Sequence, residues 1–427
     1  MKQILYTFAV AALMMTAACS DNDEEVFDVK PTGNVSFTPR PGGAVMKYVL
    51  PDNSEIKDIK VRYNDVNGQE VTVLGSYLCD SLTLVGFNEA RQNIPVYVSY
   101  INRQGVCSEE YETTFSTGDS GPYAFFTEAE VKSAWDGFQL SYNLPDEGMT
   151  GFAHVFRVGT NPNTGLTDTL LISSITLKKG EASQFFKVDG ETTDNTIVIK
   201  TEDFRGYFVK TKVWENVKSY PTQLVDSKDM VVTCPLSLEN STYEIGLKYL
   251  TDGDTKGRQA LLNGSGKTKY YTFVMGPNAL GQAVVCDLGT PKVISSARIY
   301  TQLKVLNYYS MPIWKYNYTD TLPCEAELWG SNDQTSWTLL GSYSEPADET
   351  GACWYNTNGL VRRSDKLTLE QLDSVDGVYL DITVPLSDDT YRYLKVVPTN
   401  HFDTSYGSFR NTSKYVTMQE LEIYIKK

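Results

Sequence analysis

The chain has 427 residues and a net charge of −15, with 41% hydrophobic and 21% charged residues, a length suited to roughly two to four domains with apolar cores of their own. That composition excludes disorder as the main state, and the acidity repels phosphate backbones and anionic headgroups, so a neutral or weakly charged partner is expected and no nucleic acid. Tyr, Phe and Trp (28, 17 and 6) outnumber the two histidines, His154 and His401, a balance that suits strands and stacking surfaces and excludes His-rich zinc sites.

At the amino terminus Lys2 precedes an apolar stretch from Ile4 to Ala18, too short to span a membrane and shaped like the core of an export signal. Small residues stand directly before a cysteine in Thr16-Ala17-Ala18-Cys19. This resembles the lipobox of bacterial lipoproteins, which implies a signal peptide over 1–18, acylation of Cys19 and a lipid anchor in the outer membrane. The polar run Ser20 to Glu25 cannot bury apolar area and opens an acidic tether over 19–30. It resembles the surface-export signal of Bacteroidetes lipoproteins, implying display on the cell exterior; a plain solvated linker facing the periplasm is the other reading.

From there β-branched and aromatic runs alternate with Gly, Pro, Asn and Asp clusters every roughly 8 to 12 residues, the pattern of an all-β chain of sandwiches. Gly43 to Asp52 (GAVMKYVLPD) recurs as Gly137 to Asp146 (GFQLSYNLPD), which marks two related modules, 31–118 and 119–235. In the first, strands are expected near Val45–Leu50, Ile59–Tyr63, Val71–Val73 and Leu82–Leu84. Its closing segment, Val96–Ile101, a turn through Gly105, then Tyr111–Phe115, resembles the last hairpin of a fibronectin type III domain. Tyr207–Trp214 is expected to answer it in the second module, without the turn glycine. Six cysteines follow the anchor, with no CxxC pair, so zinc ribbons and redox motifs are excluded while disulfide pairing stays open.

The third module, 236–427, contains Leu250 to Asp254, Asp287-Leu288-Gly289, Ala297 to Tyr300, Glu327 to Asp333 with Trp337, Tyr391 to Val396 and Gln419 to Tyr424. In that order these segments resemble the discoidin, or coagulation factor V/VIII type C, domain, which implies a jelly-roll β-sandwich. The fold expected is thus two fibronectin type III or Ig-like sandwiches followed by a discoidin-like one. This layout resembles surface lipoproteins of Bacteroidetes polysaccharide-utilisation loci.

The discoidin resemblance implies a calcium site at Asp252, Asp254 and Glu420, since a hard cation neutralises clustered carboxylates; an ordinary Asp-Gly-Asp turn is the equal alternative. It also places ligand recognition in the loops at one end of the sandwich. One loop, 307–318, is rich in rings, including Tyr309, Trp314 and Tyr316. Trp354, His401, Tyr406, Phe409 and Arg410 are expected to meet it, with ring faces stacking on pyranose C–H faces and polar groups reading hydroxyls. A loop that packs its own aromatics as a small core is the competing reading. Neither histidine lies in a nucleophile motif and no Walker or HExxH motif occurs, so no catalytic residue is assigned. The expectation is a non-catalytic surface lipoprotein that binds a polysaccharide or glycoprotein glycan. Its alternative is a structural or protein-binding lipoprotein docking to a transporter complex or adhesion partner.

Overall fold

A computed structural model describes residues 27–29, 31, 34–146, 148–188, 194–263, 269–306, 316–350, 353–405 and 407–427. The chain divides into two compact units, one of 1–132, 139–186 and 194–217, the other of 133–138, 187–193 and 218–427. Among the described residues no helix is long and apolar enough to cross a membrane.

The first unit opens with strands β1 (Val35–Arg40), β2 (Gly43–Tyr48), β3 (Ile56–Asn64), β4 (Glu70–Ser76), β5 (Ser81–Val85), β6 (Ile94–Asn102) and β7 (Tyr111–Phe115). They form an antiparallel sheet β1-β2-β5 and a second sheet β4-β3-β6-β7, the three-plus-four arrangement of a fibronectin type III sandwich. Alternation drives the pairing: Met46, Leu84, Val61, Val96 and Val98 have no exposed surface and point between the sheets. Tyr63 meets Phe115 edge-on at 5.5 Å and stacks on Phe87 at 6.1 Å, and its hydroxyl donates to Val85 O at 2.7 Å. Each such buried ring contributes about 1.5–3 kcal/mol through the apolar area it removes from water. Gly43 is required by close approach, because a Cβ there would lie 1.9 Å from Leu84 O.

Helix α1 (Gly121–Glu128) follows, capped by Ser120, which accepts from Tyr123 N, and opened by Pro122, whose fixed φ suits a first turn. The second sandwich comprises β8 (Glu130–Trp135), β9 (Gly137–Leu144), β10 (Gly151–Thr160), β11 (Thr167–Leu177), β12 (Gly180–Lys187), β13 (Asp194–Glu202) and β14 (Phe208–Tyr220), in the order β11-β10-β13-β14-β8-β9-β12. The repeat falls on equivalent strands: Met46 and Tyr48 of β2 match Leu140 and Tyr142 of β9, all buried. The expected counterpart of the last hairpin is corrected. Tyr207 closes a turn and Phe208–Trp214 lie on β14, after the hairpin, while β13 is the strand before it. Gly206, at φ 85°, is the turn glycine thought missing. The offset arises because Asp203 Oδ1 accepts from Arg205 N and Tyr207 N and closes a turn that the residue alternation does not mark.

Arg205 joins the two sandwiches of this unit. Its Nη1 donates to Asp65 Oδ2 at 2.9 Å and its Nη2 to Asp203 Oδ2 at 3.1 Å. Both aspartates sit in tight turns, Asp65 also accepting from Asn67 N and Gln69 N, and both are about 5% exposed. One guanidinium therefore compensates two buried carboxylates.

The second unit contains β15 (Thr222–Leu224), β16 (Val231–Thr233), α2 (Arg258–Asn263), β17 (Phe273–Met275), β18 (Val284–Lys292), β19 (Ile294–Thr301), β20 (Pro323–Ser331), β21 (Thr338–Ser344), α3 (Leu369–Asp373), β22 (Val378–Thr383), β23 (Tyr391–His401), β24 (Val416–Met418) and β25 (Glu420–Lys426). Sheet β15-β25-β19-β22 faces sheet β16-β18-β23-β20-β21, with β17-β24 as a short pair. Ala297, Ile299, Ala326, Leu328, Leu380, Leu394, Val396 and Ile423 are fully buried between them. The six cysteines are unbridged: Cys286 and Cys324 are buried, Cys107, Cys234 and Cys353 partly so, and Cys79 is exposed. Trp337 closes the β20–β21 hairpin through Nε1 to Gln334 O, with the Lys395 ammonium 3.8 Å above its ring.

Replacing Arg205 by Ala should destabilise the first unit by about 3 kcal/mol, because it strands two desolvated carboxylates. Denaturant unfolding of the variant checks this, and Asp65→Asn added to Arg205→Ala should recover part of the loss. A midpoint unchanged by Arg205→Ala would show that the lock carries no stability.

Candidate functional site

Three segments converge at one end of the second unit: the return into β20 from residue 316, the turn at 353–363 that follows β21, and 401–411, which leaves β23. Asp320 fastens two of them. It has no exposed surface, and its Oδ1 accepts from Thr404 N at 3.2 Å and Thr404 Oγ1 at 2.7 Å. Its main-chain carbonyl accepts from Asn411 Nδ2 at 3.0 Å. Asn317 Nδ2 donates to Ser405 Oγ beside it. Tyr318 is buried, its hydroxyl held by Gln302 N and Thr301 Oγ1, and burial pushes its pKa up to about 12.

The third segment is tied in by Arg362, whose Nη1 lies 2.5 Å from Glu349 Oε2 and whose Nη2 donates to Thr404 Oγ1 at 3.3 Å. Its main-chain N–H donates to Asn356 Oδ1 and its guanidinium lies 5.6 Å from the Tyr355 ring. Between the segments opens a cavity of about 340 Å³ lined by polar and cationic groups, among them Lys304, Asn317, Thr319, Arg362, Arg363 and Thr404.

The residues singled out from sequence divide accordingly. Tyr316 is half-buried at the rim, its hydroxyl 2.9 Å from Ser413 Oγ and its ring 6.2 Å from Tyr415. His401 ends β23 with Nδ1 on Phe402 O at 2.7 Å. Phe409 is 55% exposed, and Arg410 lies on the surface with Nε 3.4 Å from Asp403 Oδ1 and 3.2 Å from Ser405 O. Trp354 is corrected. It is 5% exposed, its Nε1 donates to Pro323 O at 2.8 Å and its ring abuts Tyr355 edge-on, so it braces the wall and offers no face to a ligand. Cys19, Tyr309, Trp314 and Tyr406 lie outside the described residues. Lys304, Asp320, Glu349, Arg362, Arg363 and Thr404 were missed, although the Arg362-Arg363 pair in so acidic a chain was a readable signal.

The acidic trio sits elsewhere, beside α2. Asp254 is a turn residue: its carboxylate accepts from the main-chain N–H groups of Lys256, Gly257, Arg258 and Gln259, three of them on Oδ1. Asp252 and Glu420 do converge. Glu420 is 4% exposed, accepts from Gly253 N at 3.1 Å and shares a hydrogen bond with Asp252. Burial, then the charge of Asp252, pushes Glu420 up to about 9, so the pair is held together by one proton. Among the described residues no three metal-donor side chains form a cluster. The donor chemistry suits a hard cation at two of the three carboxylates, with the proton filling that role otherwise.

The Glu420 proton has a definite sign. The folded value lies above the ordinary 4.5, so the folded chain keeps a proton that the unfolded chain releases. The stability this gives is complete below about pH 4.5 and is lost as pH rises towards about 9. In chelator-treated protein, Glu420→Gln should flatten the decline of Tm across that window; an unaltered slope would assign the decline to other groups.

Residues 30–117 match the family model described as "Domain of unknown function (DUF4959)". No curated protein matches the chain. Among solved structures, the CBM32-1 module from a family 31 glycoside hydrolase of Clostridium perfringens is 15% identical over 47% of this chain and 96% of its own, with a TM-score of 0.27. A SusE-like protein is 14% identical over 71% of this chain and 98% of its own, with a TM-score of 0.27. A two-domain fibronectin type III segment of chicken tenascin is 12% identical over 42% and 97%, with a TM-score of 0.18. At these identities and TM-scores the likenesses say nothing of what this chain binds.

Proposed function

We propose that the protein is a non-catalytic glycan-binding lipoprotein anchored through Cys19 to the outer membrane and facing the cell exterior. In this reading two fibronectin-like modules, with boundaries near 118 and 235, carry a discoidin-like module whose end loops take a polysaccharide or glycoprotein glycan. The observation that supports it most is the convergence of Asn317, Thr319, Thr404 and Arg362 on one open cavity, with Tyr316 beside Asn317 in the chain and Phe409 exposed on a neighbouring segment. Rings beside fixed donors and acceptors are what a pyranose needs, apolar C–H faces on one side and hydroxyls on the other. Tyr309, Trp314, Tyr406, His401 and Arg410 complete the proposed rim. Calcium, where it binds, would sit between Asp252 and Glu420 in place of their shared proton, a structural and not a chemical role. Calcium should then raise the Tm of the parent protein and leave that of Glu420→Gln unmoved.

One observation favours a second reading, docking to a transporter or other protein partner. Leu171, Phe185, Phe204, Phe208 and Val213 of the second sandwich are each 49–63% exposed.

Affinity electrophoresis against a panel of polysaccharides separates the two. Retardation is expected, weakened in Tyr316→Ala and Trp314→Ala by about 1–3 kcal/mol, the range for stacking on aromatic platforms. No retardation in any gel would overturn the glycan reading. A drop in melting temperature of Trp314→Ala equivalent to about 3–5 kcal/mol would instead mark the loop as a private core. Cys19→Ala should release the protein from membranes, since an acidic chain has little affinity of its own for anionic headgroups; a variant still sedimenting with membranes would refute the anchor.

A further inference from the structure

The first sandwich has two poles, and its own chain occupies one of them. At the pole where β1 turns into β2, Gly42 N donates to Gly118 O, and Asp65 is held by Arg205 of the second sandwich. The opposite pole carries the entry at Asn34, the loop 49–55, the turn 77–80 between β4 and β5, and the β6–β7 turn. Pairing places them together, since Val35 lies opposite Tyr48, Asp58 opposite Ser76 and Ile56 opposite Asn102.

Small and polar residues are the rule at such turns. Here Val49 is 70% exposed, Tyr77 69% and Leu78 79%, the last the most exposed large apolar side chain among the described residues. The three share one tip. Ser76 O accepts from Cys79 N at 3.1 Å and from the Tyr48 hydroxyl at 2.9 Å, and Ser76 Oγ accepts from Leu78 N at 3.2 Å. Tyr48 N donates to Asp80 O at 2.9 Å, which brings the next residue, Val49, beside the turn. The backbone beneath these side chains is thus fixed before anything meets them, and little freedom is lost on contact.

The chain ahead of this pole limits what it can face. Phe27 is 8% exposed within the core of the same sandwich, and Val29 packs against that core. Only residues 20–26 separate Phe27 from Cys19, a stretch that reaches at most about 30 Å fully extended. We propose that Val49, Tyr77 and Leu78 dip into a zwitterionic lipid surface beside the acylated Cys19 and hold the protein at one tilt. The inference rests on the anchored reading above and adds a second contact to it. A tyrosine suits this depth, with its ring at the headgroup level. Asp52, Glu55, Asp58 and Asp80 outnumber Lys57 and Arg103 at this pole, which turns it away from anionic lipid. Three side chains bury too little area to retain the chain alone, so the tip orients what the acyl chains hold.

Cys79, the exposed thiol of the tip, carries the reporter. Acylated protein is labelled with an environment-sensitive maleimide, corrected for other thiols with Cys79→Ser, and mixed with phosphatidylcholine vesicles. Flotation reads the anchor and the label reads the tip. The protein should float and the emission should shift to the blue, and Leu78→Asp should abolish the shift with flotation and melting temperature unchanged. Phosphatidylglycerol vesicles should give a smaller shift, and a larger one would overturn the zwitterionic assignment. Flotation without a shift, or a shift that survives Leu78→Asp, would overturn the tip and leave the anchor standing. Failure to float would overturn the anchor and the tip with it. A shift that grows with protein concentration in the absence of vesicles would assign the tip to a second copy and overturn the proposal.

Discussion

The buried carboxylate of Asp320 organises the functional end of the second unit. A β-sandwich buries alternate residues along its strands and leaves the loops at its ends without a core of their own, so loops converge only where a specific polar group pulls them together. Asp320 does this from the turn that enters β20. One carboxylate oxygen takes both the N–H and the hydroxyl of Thr404, and the main-chain carbonyl takes Asn411. Thr404 then receives Arg362, and Arg362 receives Glu349. The network runs through three segments separated by tens of residues in sequence, and the cavity is the space they enclose.

The same economy operates in the first unit with the signs reversed. There one cation, Arg205, serves two turn aspartates; in the second unit one aspartate serves two donors on Thr404. In the first unit the carboxylates are already committed to local turns before Arg205 reaches across, since Asp65 and Asp203 each close their own turns through main-chain N–H groups. A side chain held in this way spends little conformational freedom on the long-range contact, which is why a single residue suffices to join two loops.

How far the sequence disclosed this follows from the range of the interactions. Strand positions are local properties: β2, β3, β6 and β23 were legible because alternating Val, Ile, Leu and Tyr fill a half-buried pleat wherever it falls. Strand β1 alternates only over Val35 to Thr38 before Pro39 and Arg40 interrupt it, too short a run to stand out, and was not read. The hairpin after β13 was misplaced because its turn is set by Asp203 and Gly206, separated by Phe204 and Arg205, which read as strand rather than turn. Trp354 was read as a sugar platform because ring content is visible in sequence whereas the carbonyl of Pro323 that takes its Nε1 proton is not.

Asp254 and Glu420 show the same limit from the electrostatic side. Three acids at plausible spacing look alike in sequence, yet their environments give them different work. Asp254, facing four main-chain N–H groups, is a satisfied turn, and Glu420, with one such donor and the charge of Asp252 beside it, holds a proton. Net charge misleads for the same reason. Most of the acidic side chains face open solvent, where a high dielectric and salt screen them within about 10 Å. The cations around residues 304 and 362–363 sit in a concave, partly dry site where each counts for more. The local field in that cavity is therefore set by the few charges that line it, and a chain acidic overall can present cations at one end of a sandwich.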